Sequence, residues 1–462
     1  MGLDLDFDAP APTPRHETAL ACLRAGIEAA HPERVLESTV RLTDEHGDSE
    51  EDAPGEGGGD HLHVADAVYD LCEFDRVVVG GGGKAAAGVA AALERVLGER
   101  ITAGRVVTPD PGEGERIEHL PGDHPVPSER GVESTRRVVE LLDSADERTL
   151  VLAVVTGGGS ALLPTPADGV ALADLQSTTE RLLDSGADIG EINAVRKHFS
   201  TLKGGGLARA ATPATVVSLV FSDVVGDDLG VIASGPTVPD ETTYADALAV
   251  LDRYDIDASE PVRDRLERGA GGALPETPKP GDALFDRVEN HVLASGFTAL
   301  TAAREEAEDR GVATCLLSSR VRGEAREAAK SHVAVGEEAV ATGNPLSPPA
   351  VVLSGGETTV TVRGDGEGGP NLEYALSAAL ELGGANAVLA SVDTDGRDGG
   401  TDAAGAVVDG ETLGTREERE AARDALARND ALPFLAERDC VLETGPTGTN
   451  VNDLRVLVVT RG

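Results

Sequence analysis

Short apolar runs alternate with amphipathic helical stretches along the chain, which predicts an α/β protein built on parallel sheets. Two further observations give the expected layout. Glycine turns close two of the apolar runs, at 80–83 and 157–159, where strands of a parallel sheet end and ligands bind. The stretch 271–283, GGALPETPKPGDA, combines Gly, Pro and charge and reads as a linker. The expected architecture is therefore two α/β domains, over 15–270 and 284–460, with a cleft between them as the ligand site.

Each element has its own warrant. An opening helix is expected over 16–30. The segment 44–60, DEHGDSEEDAPGEGGGD, is acidic, Gly-rich and without periodicity, so it reads as a solvated loop. Strands are expected at 76–80, 105–108, 149–156 and 215–221, with helices between. After the linker, HVLAS, VATCLLSS and VVLSG alternate with helices and suggest a second doubly wound set. No repeat of solenoid length is present.

Composition excludes several classes. The chain carries 82 acidic residues against 40 basic ones, a net charge of -42, so nucleic acid and anionic membranes are not expected partners. Its five lysines are Lys84, Lys197, Lys203, Lys279 and Lys330. Scarce lysine and abundant Asp and Glu resemble adaptation to molar salt, where a Debye length of roughly 3 Å screens self-repulsion. The four cysteines are dispersed without a CxxC pair, which suggests buried free thiols in a reducing cytoplasm. The acidic start, MGLDLDFDAPAPTPRHE, is not expected to be a signal peptide.

The chemistry concentrates in the turns. VVVGGGGKAAAG runs from a strand through Gly81, Gly82 and Gly83 into Lys84 and a helix. Free N–H groups at that helix start and the Lys84 charge make an anion site. A dinucleotide reading fits G-x-G-x-x-A, but its ribose-binding acid, with Asp110 as the nearest candidate, is poorly placed. TGGGSALL supplies a second backbone cradle at Gly158, Gly159 and Ser160. In INAVRKHFSTLKGGG, Asn193, Arg196, Ser200 and Lys203 are spaced 3, 4 and 3, a polar stripe on a helix that Gly204 would end. The plain alternative is a solvated face whose cations offset the helix dipole. Asp223, Asp227 and Asp228 follow a strand and are placed to hold Mg²⁺ through water and phosphate. The second half offers Glu357, then Asn371 and Glu373 at a helix start. Asp393, Asp395 and Asp398 follow in an acidic loop, then Thr449, Asn450 and Asp453 near the C-terminus. Plain turns explain any one of these.

These motifs together, with HPVPSERG, SDVVGDDLGVIASGPTVPD, LSGGETTV, DTDGRDGGTDAAGA and TGPTGTNVND, resemble the class II glycerate 2-kinases with a C-terminal MOFRL domain, from about 16 to 459. The resemblance implies a larger Rossmann-like domain, a smaller MOFRL-type α/β domain and an active site in the cleft between them. It implies transfer of phosphate from ATP to the C2 hydroxyl of D-glycerate, with Mg²⁺ or a similar ion. Lys84 matches the family's catalytic loop lysine, and Asn193, Arg196, Ser200 and Lys203 match its helix motif. Arg196 and Asp223 join Lys84 as expected catalytic residues, and Asp223, Asp227, Asp395 and Asp398 are the metal candidates. One departure stands out. Glu367 and Pro370 replace two arginines of the family's G-R-G-G-R-N-Q-E stretch, leaving Arg363 or Arg397 as substitutes. Expected partners are glycerate and ATP, with a homodimer left open. The alternatives are an NAD(P)H-dependent hydroxypyruvate reductase and a non-enzymatic sugar-phosphate-binding module.

Overall fold

The computed structural model describes residues 5, 7, 11–44 and 60–461. Most of the acidic loop expected at 44–60 lies outside the described residues. The chain divides into two compact units, one of residues 35–293 and one that joins 1–34 to 294–462.

The 35–293 unit holds a small antiparallel sheet of β1 (Val40–Asp44), β2 (Asp60–Val64) and β3 (Ala67–Asp70). Its main sheet contains β4 (Arg76–Gly82), β5 (Ile101–Thr108), β6 (Ile117–Pro121), β7 (Thr149–Thr156), β8 (Thr215–Phe221) and β9 (Val288–Ala294). The spatial order is β6-β5-β4-β7-β8-β9, and the β6-β5, β5-β4, β4-β7 and β7-β8 pairs are all parallel. Counted within this sheet the order is 3-2-1-4-5-6, that of the doubly wound dinucleotide-binding fold. The strand order reverses between β4 and β7, so the two glycine turns lie side by side at the switch point. Every residue of β7 is buried, as expected for a strand covered on both faces. The helix Ala86–Leu97 packs by Val89, Leu93 and Leu97.

The other unit contains β10 (Ala313–Glu324), β11 (Ala350–Thr359), β12 (Ala387–Asp393), β13 (Gly405–Asp409), β14 (Val441–Leu442) and β15 (Asp453–Val459). Their order is β10-β11-β15-β12-β13-β14. Only the β10-β11 pair is parallel; the other four pairs are antiparallel. The expected second doubly wound sheet is therefore corrected to a mixed one, because the C-terminal strand inserts between β11 and β12. HVLA, expected to open that set, lies in β9 of the first sheet.

The boundaries differ as well. The 271–283 stretch is no linker. Pro278 O accepts from Asp240 N at 2.8 Å and Thr277 Oγ1 donates to Asp240 Oδ2 at 2.9 Å, which ties it into its own unit. The helix Pro14–Ala29 belongs to the second unit, where Gly26 permits close approach. A Cβ there would lie 2.5 Å from Leu454 Cδ2 and 2.8 Å from Ala299 O. The four cysteines are free, but only Cys22 and Cys440 are buried; Cys72 is exposed and Cys315 half-buried.

Candidate active site

The first glycine turn is shaped by backbone that side chains other than hydrogen cannot occupy. Gly81 and Gly83 have φ of 137° and 142°. A Cβ on Gly81 would lie 2.1 Å from Val154 O, and one on Gly83 would lie 2.1 Å from Thr156 Oγ1. The turn is locked to β7 by Lys84 N donating to Gly157 O at 2.7 Å and Ala85 N donating to Thr156 Oγ1 at 3.2 Å.

The second glycine turn is the hub on which the charged groups meet. A Cβ on Gly157 would lie 2.2 Å from Asp223 Oδ2. One on Gly158 would lie 3.0 Å from both Lys84 Cγ and His124 Cδ2, and one on Gly159 would lie 2.8 Å from Ala233 Cβ. Lys84, His124 and Asp223 thus pack over two consecutive glycines, Gly157 and Gly158, although they lie far apart in sequence. Beside them is a cavity of about 190 Å³ lined by His124, Ser160, Arg196 and Lys203 on its polar side and by Leu175 and Phe199 on its apolar side. That is several times the roughly 30 Å³ share of one water in the liquid.

The expected polar stripe is only partly helical. The helix Ile189–His198 ends before Ser200, which forms an isolated bridge with Pro166. Arg196 and Lys203 nevertheless both reach the cavity. Lys203 Nζ donates to Ser160 O at 2.7 Å, Ser160 Oγ lies 2.7 Å from Ser234 Oγ, and Ser234 Oγ donates to Asn193 Oδ1 at 2.9 Å. Asn193 therefore acts through Ser234, and its buried Nδ2 has no partner. Ser200 Oγ bonds instead to Thr165 Oγ1 at 2.9 Å. Burial holds the Arg196 guanidinium below its ordinary pKa. Burial, with Arg196 adding to it, brings the Lys203 ammonium down to about 7. Asp227 stands in a left-handed turn at φ 59°, and Asp228 is exposed, accepting from Gly230 N at 2.8 Å.

In the second unit the expected ligands are largely structural. Asp398 is fully buried and caps the helix Pro370–Leu382, accepting from Asn371 N at 2.9 Å and Leu372 N at 2.8 Å. Burial pushes its carboxyl up to about 7. Both oxygens are engaged by the helix start. Asn371 donates to Asp453 Oδ1 at 2.7 Å and accepts from Ser391 Oγ at 2.6 Å. Glu373 pairs with Arg326 at 2.6 Å and accepts from Asn429 at 2.7 Å; burial raises its pKa more than Arg326 lowers it. Thr449 Oγ1 donates to Ala30 O at 2.7 Å, and Asn450 Oδ1 accepts from Asn452 N at 3.1 Å. Glu357 is exposed and sits in register opposite Arg322. Asp395 turns its carboxylate to Arg397 N at 2.9 Å. Pro370 occupies the first turn of its helix, where its missing N–H costs nothing, and Arg363 and Arg397 are both exposed. Among the described residues, no three His, Cys, Asp or Glu converge as a metal-binding group.

Sequence reasoning did not single out His124, Ser234 or the buried Arg455. His124 lies in the HPVPSERG motif and Ser234 in IASGP, so the motifs were visible but not the roles within them. Arg455 pairs with Asp453 and stacks over Tyr374, 4.4 Å from its ring centre.

Residues 18–267 match a family model described as a domain of unknown function, DUF4147, and residues 350–453 match the MOFRL family. A D-glycerate 2-kinase of Thermotoga maritima is 44% identical over 82% of this chain and 90% of its own length. A glycerate 2-kinase of Pyrococcus horikoshii is 38% identical over 96% of this chain and 97% of its own length. The chain belongs to the glycerate 2-kinase family. A family relative from Agrobacterium vitis, 42% identical over 83% of this chain and 87% of its own length, is provisionally named a hydroxypyruvate reductase. Among solved structures, a glycerate kinase of Thermotoga maritima aligns with a TM-score of 0.81 and 38% identity, covering 96% of this chain and 99% of that one.

Proposed function

We propose that this protein is a D-glycerate 2-kinase, which moves the terminal phosphoryl group of ATP to the C2 hydroxyl of D-glycerate and releases 2-phosphoglycerate and ADP. The observation that carries the reading is the packing of Lys84, His124 and Asp223 over Gly157 and Gly158, beside a cavity that presents Arg196 and Lys203. Phosphoryl transfer needs positioning and charge stabilisation more than covalent help from protein. The N–H groups of the first glycine turn are spent on Val107 O, Gly157 O and Thr156 Oγ1, so those of the second glycine turn, with the Lys84 side chain, cradle the phosphates. Arg196, with no carboxylate in ion-pair distance among the described residues, clamps the glycerate carboxylate bidentately. Leu175 and Phe199 keep water from the three-carbon chain.

Asp223 is the residue that would hold a divalent cation. Its carboxylate lies against the phosphate-cradling turn, and Mg²⁺ commonly takes one or two protein carboxylates, with phosphate oxygens and water completing its shell. When bound, the ion neutralises charge on the phosphate oxygens. We further propose that the protein works in a salt-rich, reducing cytoplasm, apart from nucleic acid and membranes. Arginine in place of lysine and the net charge of -42 support that setting.

The test is a product assay in about 2–3 M KCl, chosen to screen the acidic surface. D-glycerate, ATP and Mg²⁺ are supplied and the product is coupled to enolase, which accepts 2-phosphoglycerate directly. Signal without phosphoglycerate mutase supports the 2-kinase. Signal only with the mutase indicates phosphorylation at C3. NADH oxidation with hydroxypyruvate and no phosphoglycerate would replace the kinase by a reductase.

A further inference from the structure

We propose that Lys203 is the general base that takes the proton from the acceptor hydroxyl as phosphate is transferred, a role that rests on the kinase reading above. Two buried lysines differ in their partners. Lys197 is 7% exposed and is neutralised by the fully buried Asp240 at 3.3 Å. Lys203 is 4% exposed, yet among the described residues no carboxylate lies within ion-pair distance of it. Its hydrogen bond runs to a backbone carbonyl, Ser160 O. Among the described residues, a buried carboxylate thus neutralises the lysine outside the cavity lining and none stands beside the lysine that lines it.

Among the polar groups around Lys203, the charge of Arg196 favours a free amine. Arg196 comes from the helix Ile189–His198, His124 from the loop after β6, and Lys84 lies over the neighbouring Gly158. Asp223 packs on Gly157, and Asp240 is taken by Lys197, Thr242 and Thr277. Burial and Arg196 bring the Lys203 pKa to about 7, where a general base works best near neutral pH. A buried lysine is well suited to that change. A neutral amine can donate one N–H to Ser160 O and keep its lone pair for the substrate.

Ser160 is itself held in place. Ser234 bonds to it, and Ala233, Ser234 and Gly235 are three successive left-handed residues at φ 49°, 62° and 66°, backbone that is stable only when its surroundings enforce it. In the step, the hydroxyl O–H bond breaks and a new N–H bond forms on Lys203. The freed oxygen pair attacks the terminal phosphorus of the nucleoside triphosphate, and the bond to the bridging oxygen breaks as the diphosphate leaves. The ammonium returns its proton to solvent after product release.

The test compares the parent with Lys203→Arg and Lys203→Ala. Lys203→Arg keeps the charge and removes the base, so kcat should fall about 10²–10⁴-fold with little change in KM for glycerate. The parent's rate should fall tenfold per pH unit below about 7, and that limb should vanish in the arginine variant. Lys203→Ala should be rescued by methylamine in proportion to its free-base concentration. With only five lysines in the chain, selective ¹⁵N labelling also reads the Lys203 titration in the parent, with an expected midpoint near 7. An arginine variant within threefold of the parent, an unmoved acid limb, no amine rescue, or a midpoint above 10 would overturn the base while leaving an active kinase. A parent that does not phosphorylate glycerate would remove the kinase reading and the base with it.

Discussion

Gly157→Ala separates the site's chemistry from its fold. The Gly157 backbone does not lie in the left-handed region, so alanine strains nothing locally. The new Cβ would stand 2.2 Å from Asp223 Oδ2 and 2.5 Å from its Cγ. Real Cβ contacts stay beyond about 3 Å, so the carboxylate must retreat by at least about 0.8 Å. Turning one side chain off its rotamer costs about 0.5–1.5 kcal/mol, which lowers Tm by only about 2–4 °C per kcal/mol in a unit of this size. Displacing a catalytic group by about 1 Å, in contrast, costs on the order of 10²-fold in rate. The expected result in the enolase-coupled assay is a well-folded protein with turnover reduced about a hundredfold. Gly83→Ala is the reference for a structural failure. There the Cβ meets backbone, Thr156 O at 2.5 Å, from a left-handed glycine, so the fold itself should suffer. Turnover of Gly157→Ala within threefold of the parent would refute the placement of Asp223 in the reacting site.

Lys84→Ala should reduce kcat by at least about 10²-fold with an unchanged circular dichroism spectrum; near-normal turnover removes it from the phosphate cradle. Arg196→Lys keeps the charge but loses the fork, so KM for glycerate should rise about tenfold or more, and an unchanged KM would argue against the carboxylate clamp. Asp398→Ala should lower the stability of its unit by about 1–2 kcal/mol through the lost cap and leave the Mg²⁺ dependence of the rate as in the parent; a shifted Mg²⁺ requirement would restore a metal role. His332 is buried between Tyr374 Oη at 3.0 Å and Val352 O at 3.1 Å, and burial pushes its pKa down from 6.5 to about 4. Between those values the unfolded chain binds a proton that the folded chain refuses. The His332 contribution is thus complete above pH 6.5 and lost as pH falls toward 4, on the order of 3 kcal/mol. Denaturation midpoints at pH 7 and 4.5 should therefore converge in His332→Gln; an unchanged difference would contradict the assignment.

The buried Arg455 shows how the second unit spends its polar groups. It is fully buried, pairs with Asp453 and covers the Tyr374 ring. Asp453 also accepts from Thr358 N at 3.0 Å and from Asn371. Breaking such a pair strands a buried charge and typically costs more than the pair contributes. Asp398, Glu373 and Asp453 are thus held by hydrogen bonds around the start of the helix Pro370–Leu382, while Arg455 Nε and Nη1 stay buried without partners.

The strand–glycine–helix pattern was enough to predict four of the six strands of the first unit's main sheet and to set Gly81–Gly83, Lys84 and Ser160 in the turns that close two of them, because both the hydrophobic period and the glycine turns are local properties. Family motifs carried the chemistry of glycerate phosphorylation with them. Partner choice was not local. The opening helix gives no local sign of which unit it joins, and its close approach through Gly26 to Leu454 and Ala299 appears only in the folded chain. The linker-like composition of 271–283 concealed its bonds to Asp240. The spacing of Asn193, Arg196, Ser200 and Lys203 suggested one helical face, whereas the chain leaves the helix after His198 and brings Arg196 and Lys203 together by folding back. An acidic sequence lists carboxylates without saying which are capped, paired or open. Burial and the hydrogen bonds each group must satisfy make that selection, and they exist only once the chain is folded.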